Sequence, residues 1–168
     1  PVVSIKNNIS IDGAKGKTID TGTHVPLLVS WSKTIESGII NKSLIDFSDF
    51  FPTICEAAGI KLNSNLDLDG VSFYKQLIGQ DGPKRKWIHS WYSRGGGSSM
   101  NDETFEWVRN ETYKFYRGNK FYNVKKDPNE KNKLSWNQMT IEERKIQQEF
   151  SDVLKSYNTL RNNTSINE

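Results

Sequence analysis

Between residues 86 and 124 the sequence passes through four short segments rich in aromatic and β-branched residues, each bounded by turn formers. They are "KWIHSWY" (86–92), "TFEWVRN" (104–110), "YKFYRG" (113–118) and "KFYNV" (120–124). Runs of this length and composition read as strands. Because they are consecutive and short, they predict a small antiparallel sheet, with Gly118-Asn119 as a two-residue hairpin. A polar turn segment, "KKDPNEKNKL", follows. A helix then starts at Thr140, where Thr140 and Glu143 form a T-x-x-E capping box. Its apolar stripe is Ile146, Phe150, Val153, Leu154 and Tyr157.

The first eighty residues follow another pattern. "VVSI" (2–5) reads as a short strand end, and residues 6–24 as a loop rich in Gly, Asn, Lys and Thr. Val25 to Trp31, "VPLLVSW", is a mostly apolar run of strand length, the kind covered on both faces in a parallel sheet. Pro26 stands at its start, where a missing N–H is tolerated. In "LIDFSDFFPTICEAAGI", Asp49 is the expected N-cap and Pro52 falls in the first turn. Phe51, Ile54, Cys55 and Ala58 share a face, and Gly59 is the expected C′ residue. "GVSFYKQLIG" reads as a short helix with Ser72 as cap and Gly79 as stop. Strand, loop and helix make a fragment of an α/β layer. The expected fold class is therefore α/β. Residues 1–83 form the C-terminal portion of an α/β domain, and residues 84–168 form a subdomain of antiparallel sheet plus helix.

Bulk composition narrows the function classes. Hydrophobic residues are 35% and charged residues 26%, so a core is possible but not generous. The net charge of +3 comes from 23 basic and 20 acidic residues that alternate along the chain, which leaves no basic stripe for nucleic acid. The single cysteine, Cys55, excludes an internal disulfide. No apolar run approaches the roughly 18 residues of a membrane span. A chain opening "PVVSIKNN" reads as cut from something longer, and the exposed apolar edge of Val25 to Trp31 predicts self-association of the isolated fragment.

Few residues offer chemistry. There is no H-x-x-x-H or C-x-x-C pair, no G-x-S-x-G elbow and no Walker loop. "RGGGSS" (94–99) follows Tyr-Ser rather than opening a helix, so it makes a poor phosphate cradle. Lys15 remains. A lysine in a Gly-flanked loop ahead of an apolar strand can meet an anion, because sites in open α/β sheets form at strand ends. The competing reading is a solvated loop lysine.

With these residues in view, "KGKTIDTGTHVPLLVSW" resembles the K-G-x-T-x-x-x-G-x-R-V-P block of the type I, formylglycine-dependent sulfatases of the alkaline phosphatase superfamily. "LIDFSDFFPTICEAAGI" with "LDGVSFYKQLIG" resembles the next two blocks. "EWVRNETYKFYRGNKFYNVKKDPNEKNKL" resembles their C-terminal signature, V-R-x-x-x-Y-K followed by D-P-x-E. The blocks occur in family order over nearly the whole chain. The resemblance implies the C-terminal end of an alkaline-phosphatase-like domain, and a parent enzyme that hydrolyses carbohydrate or aryl sulfate esters. It matches Lys15 to the lysine that binds the substrate sulfate. Lys17 reads as a loop lysine, and Thr18 and Asp20 as shaping the loop. His24 stands where many members have Arg, and His89 and Arg94 are further candidates for substrate contact. For each, a purely structural or solvated role is the alternative.

The resemblance also says what is missing. Calcium and formylglycine serve the full-length parent, but the C/S-x-P-x-R motif is absent, and Cys55 in "TICEAAG" does not fit it. No D-N-G or D-H-G turn is present. The implied metal ligands in this chain are therefore none, and the fragment alone is expected to be inactive. Its partners are a sulfated small molecule or glycan and the N-terminal remainder of the same protein. Export to the periplasm or beyond follows from the resemblance alone. Two competing readings remain. One is a phosphodiesterase or phosphonate hydrolase of the same superfamily; the other is a non-catalytic module binding glycan or a protein partner.

Overall fold

The computed structural model describes residues 3–6, 8–93 and 104–164. The chain divides into two compact units, one of Pro1–Pro26 with His89–Glu168, the other of Leu27–Ile88. This partition differs from a division at residue 83. The first 26 residues belong with the antiparallel sheet, through contacts that no local pattern reveals.

In the first unit, four strands form one sheet in the order β3-β4-β5-β6: β3 (Ile88–Ser93), β4 (Thr104–Arg109), β5 (Tyr113–Tyr116) and β6 (Lys120–Asn123). The β4–β5 and β5–β6 pairs are antiparallel. All four expected strands are present, within two residues at each end. The β5–β6 connection has three residues, Arg117 to Asn119, not two, since Tyr116 pairs with Lys120. Gly118 (φ +97°) and Asn119 (φ +65°) take the left-handed backbone that these residue types accept most readily. Along β3 every residue is half-buried, with no alternation of core and surface at this sheet edge.

Register sorts the side chains of the two central strands. Trp107 faces Tyr116 and Arg109 faces Lys114 across the ladder, while Val108 faces Phe115 and Phe115 faces Phe121. Directly paired residues share a face. One face therefore carries Trp107, Arg109, Lys114 and Tyr116; the other carries Val108, Phe115 and Phe121. Glu106, Trp107 and Val108 are all buried, as are Lys114, Phe115 and Tyr116, so both faces are covered.

Helix α4 (Ile141–Thr164) packs on β4 and β5 on the Phe115 side. Phe150 and Leu154 are buried there. Arg117 donates from Nη2 to Leu154 O (2.7 Å), and Tyr113 donates its O–H to Glu143 Oε1 (3.1 Å). The capping box forms as expected: Glu143 N–H donates to Thr140 Oγ1 (3.2 Å) and Thr140 N–H donates to Glu143 Oε2 (2.9 Å). The Thr140 backbone hydrogen bond holds the Glu143 carboxyl below its ordinary pKa. A carboxyl lowered by folding contributes stability above its unfolded pKa, and that contribution fades as pH falls through the lowered value.

The N-terminal loop expectation is corrected in part. Residues Val3–Lys6 (β1) and Ile9–Asp12 (β2) pair as a hairpin, with Asn8 at φ +62° in the turn. Residues Asp20–Thr23 form a single helical turn, α1.

The second unit is built of short helices, α2 (Phe50–Ala57) and α3 (Tyr74–Leu77). The strand expected over Val25 to Trp31 does not form. The run is irregular and exposed throughout, Leu28 reaching 93%. A strand needs a lateral partner for its N–H and C=O groups, and no described strand pairs with this run. Helix α2 ends as its glycine predicts. Ile60 N–H donates to Cys55 O (2.8 Å), Gly59 N–H donates to Glu56 O (3.0 Å), and Gly59 has φ +69°, which is the Schellman arrangement. Of the four residues expected to share the apolar face of α2, however, only Cys55 is buried. Pro52, Thr53 and Cys55 are buried, whereas Phe51 and Ile54 are exposed.

Asp49 is also corrected. It does not cap α2 with its side chain. Its carboxylate is 1% exposed and accepts from Asp46 N–H (2.8 Å), Val71 N–H (2.7 Å) and Arg85 Nε (3.0 Å), with Arg85 Nη2 also paired to it. Arg85 Nη2 further donates to Asp69 O (2.9 Å) and Ser48 Oγ (3.1 Å). A Cβ on Gly70 would lie 2.1 Å from Ser48 O, so the Asp-Gly pair at 69–70 permits this close crossing. One buried ion pair thus ties three segments of the second unit together.

Candidate functional site

Lys15 sits on a tight turn. Lys17 N–H donates to Ala14 O (2.9 Å), and Gly16 takes φ +80°, the sign required at the third position of a type II turn. Lys15 is the second residue, where a side chain projects outward. Ala14 is buried (4% exposed) while Lys15 is exposed. Among the described residues, no acid pairs with its ammonium. The turn is anchored on one side and presents an exposed cation on the other. The Tyr92 hydroxyl, from β3, lies 3.6 Å from where a Cβ on Gly16 would stand.

Gly22 locks the turn from below. A Cβ there would stand 2.2 Å from Lys17 O and 2.4 Å from Ala14 O. No rotamer relieves a clash with backbone, so Gly22→Ala is expected to cost roughly 1–3 kcal/mol, the range for overpacking. A lowered thermal midpoint of the protein checks this; an unchanged midpoint would show that the turn and α1 move apart freely.

The inner side of the same loop rests on the Trp107–Tyr116 face of the sheet. Lys114, fully buried, donates from Nζ to Thr18 O and to Glu130 Oε1 (2.8 Å). The Tyr116 hydroxyl lies 2.6 Å from Glu130 Oε2 and 2.9 Å from Thr18 Oγ1. Lys114 Nζ also stands 4.7 Å from the ring centres of both Trp107 and Tyr116, a favourable placement for a desolvated cation. Arg109 pairs with Asp20, the first residue of α1. Burial pulls the Lys114 pKa below its ordinary value, with Glu130 opposing the shift. Burial first, and then the hydrogen bond to Glu130, push that of Tyr116 up.

The other expected site residues lie in different settings. His24 is exposed just after α1, its N–H donating to Asp20 O (2.8 Å). His89 is committed to the sheet–helix joint. Its Nε2 lies 2.8 Å from Glu106 Oε1, and its ring stacks on Tyr157 at 3.7 Å between centres. Glu106 in turn pairs with Arg117. Arg94 and the glycines after it lie outside the described residues. Lys15 and His24 thus lie on either side of α1, and His89 is engaged on the β3 edge. Lys114 was not a candidate from pattern, because a strand lysine ordinarily reads as the solvent face.

Among the described residues, no group of three or more His, Cys, Asp or Glu side chains is placed to hold a metal ion. The acids nearest the Lys15 loop do not fit calcium either, because Asp20 and Glu130 are each neutralised by a cation of the sheet. Cys55 is a buried free thiol in α2.

The family profile and the curated relatives that match this chain are sulfatases by description. The profile of the family described as "N-sulphoglucosamine sulphohydrolase, C-terminal" matches residues 15–159. An ulvan-active sulfatase of Formosa agariphila is 34% identical over 109 residues, 62% of this chain and 21% of that protein. The uncharacterized sulfatase YdeN of Escherichia coli is 40% identical over 65 residues, 39% of this chain and 11% of that protein. A putative sulfatase of Bacteroides thetaiotaomicron of known structure superposes with a TM-score of 0.49 at 26% identity, covering 68% of this chain and 24% of that one. The chain spans about a fifth or less of the length of the curated relatives it matches.

Proposed function

The chain belongs to the N-sulphoglucosamine sulphohydrolase C-terminal family, and from that premise we propose that it is the C-terminal part of a sulfatase whose Lys15 binds the sulfate group of the substrate. The observation that carries this is the Lys15 turn, an exposed ammonium without an acidic partner among the described residues, on a loop whose other side is fastened. Hydrolysis of a sulfate ester breaks an S–O bond, and negative charge gathers on the leaving oxygen and the sulfuryl oxygens. A lysine ammonium is a compact charge with three donors. Fixed in advance where that charge develops, it stabilises the transition state without reorganising.

The nucleophile and metal of this enzyme type, formylglycine and calcium, belong to the rest of the protein in this reading. The C/S-x-P-x-R motif is absent from this sequence, and among the described residues no group is placed to hold a metal ion. What the chain contributes is binding and orientation: Lys15 toward the sulfuryl oxygens, with His24, just beyond α1, as a second contact. One relative's name describes activity on ulvan, and on that likeness we take a sulfated carbohydrate as the substrate class.

The full-length protein is expected to release inorganic sulfate from sulfated oligosaccharides or 4-nitrophenyl sulfate, and residues 1–168 alone to release none. Hydrolysis of bis(4-nitrophenyl) phosphate with no sulfate release from any sulfate ester would replace this reading with phosphoryl transfer. Glycan binding without hydrolysis of either ester would replace it with a binding module.

A further inference from the structure

The loop that displays Lys15 outward is gripped from inside by a buried cluster of charged and polar side chains. Lys114 and Arg109 face each other across the β4–β5 ladder. One reaches the main chain at Thr18 and the other the carboxylate of Asp20. Proton bookkeeping fixes the polarity of the rest. Glu130 as a carboxylate only accepts, so it takes one N–H of Lys114 and the single O–H of Tyr116. The Tyr116 oxygen, its proton already given, must accept from Thr18 Oγ1–H across 2.9 Å. The side chain and the carbonyl of Thr18 are thus both held, in one orientation, three residues from Lys15. Glu130 itself sits at φ +54°, a left-handed backbone rare outside glycine and asparagine. Strained backbone persists where surrounding contacts over-determine it, and it clusters at functional sites.

We propose that Lys114, Tyr116 and Glu130 are positioning residues: through Thr18 they hold the Lys15 turn so that the ammonium meets the sulfuryl group, a role that rests on Lys15 binding sulfate. A turn held on its inner side loses little further freedom when the anion arrives, and misplacement of a charged donor by an ångström costs rate steeply.

The test uses the full-length protein turning over a sulfate ester, with four forms compared: wild type, Lys15→Ala, Tyr116→Phe and the double variant. Tyr116→Phe removes one oxygen and leaves the ring in place. It is expected to lower kcat/KM by about tenfold and to weaken competitive inhibition by inorganic sulfate to a similar degree, while the thermal midpoint moves little. In the Lys15→Ala background, the same substitution is expected to have almost no further effect, because residues acting through one another are not additive. Thr18→Val is the second variant. It removes the same hydrogen bond from the loop side, should reproduce the Tyr116→Phe loss, and serves if Tyr116→Phe does not fold. Full additivity, or unchanged kinetics in both Tyr116→Phe and Thr18→Val while Lys15→Ala is impaired, would overturn the positioning role and leave the Lys15 reading standing. An unimpaired Lys15→Ala enzyme would overturn both.

Discussion

If the proposed sulfatase reading holds, replacing Lys15 by alanine in the full-length protein is expected to lower the turnover of a sulfate ester by roughly 10²-fold or more, the loss when one preorganised donor facing developing negative charge is removed. The structure gives three reasons for so large an effect from one exposed side chain. The ammonium has no acid partner among the described residues, so its charge is not already spent. Its turn is locked by Gly16 and Gly22, and its loop is fastened at Thr18 and Asp20. The kinetic signature separates two roles. Loss in kcat and kcat/KM together marks an interaction made in the transition state, whereas a rise in KM alone marks binding shared with the ground state. Steady-state kinetics with inorganic sulfate as inhibitor make the measurement. Unchanged kinetics would remove Lys15 from the mechanism.

Asp49→Ala produces the largest expected change in stability. Its carboxylate is the common acceptor for two backbone N–H groups and the Arg85 guanidinium, all in a nearly water-free pocket. Removing one member of a buried pair leaves the other charge uncompensated, at a cost of about 3–5 kcal/mol. The effect belongs to Leu27–Ile88, so a local probe serves better than a global melt. Amide hydrogen exchange in peptides covering residues 46–73 is expected to accelerate by two orders of magnitude or more, at about 1.36 kcal/mol per tenfold. Exchange at the wild-type rate would show that packing around Phe73 and Thr53, not the ion pair, holds these segments.

Both predictions draw on features that differ in how visible they were beforehand. That Lys15 stands in a Gly-flanked loop was legible because the K-G-x-T…G block is contiguous, and because glycine at positions 16 and 22 answers a steric demand that is written in the residue type. The four strands, the Thr140 capping box and the Gly59 and Gly79 helix stops were legible for the same reason. Each depends on neighbours a few residues away. Asp49 illustrates the opposite case. Next to a helix start, an aspartate reads as a cap, and only the return of Val71 and Arg85 to its side makes it a buried hub. Lys114 carries no local sign that Glu130 and Thr18 enclose it.

What the sequence by itself determined is the order and type of the elements of the sheet and last helix, and the Gly-flanked loop that carries Lys15, because turn chemistry and short-period patterning are local properties. Tertiary structure alone decided that residues 14–23 back onto the Lys114 face of the sheet, and that Val25 to Trp31 stays irregular rather than extended into a ladder. Hydrogen-bond pairing and charge burial depend on groups far apart along the chain, and a run of apolar residues carries strand preference without carrying the partner that a strand requires.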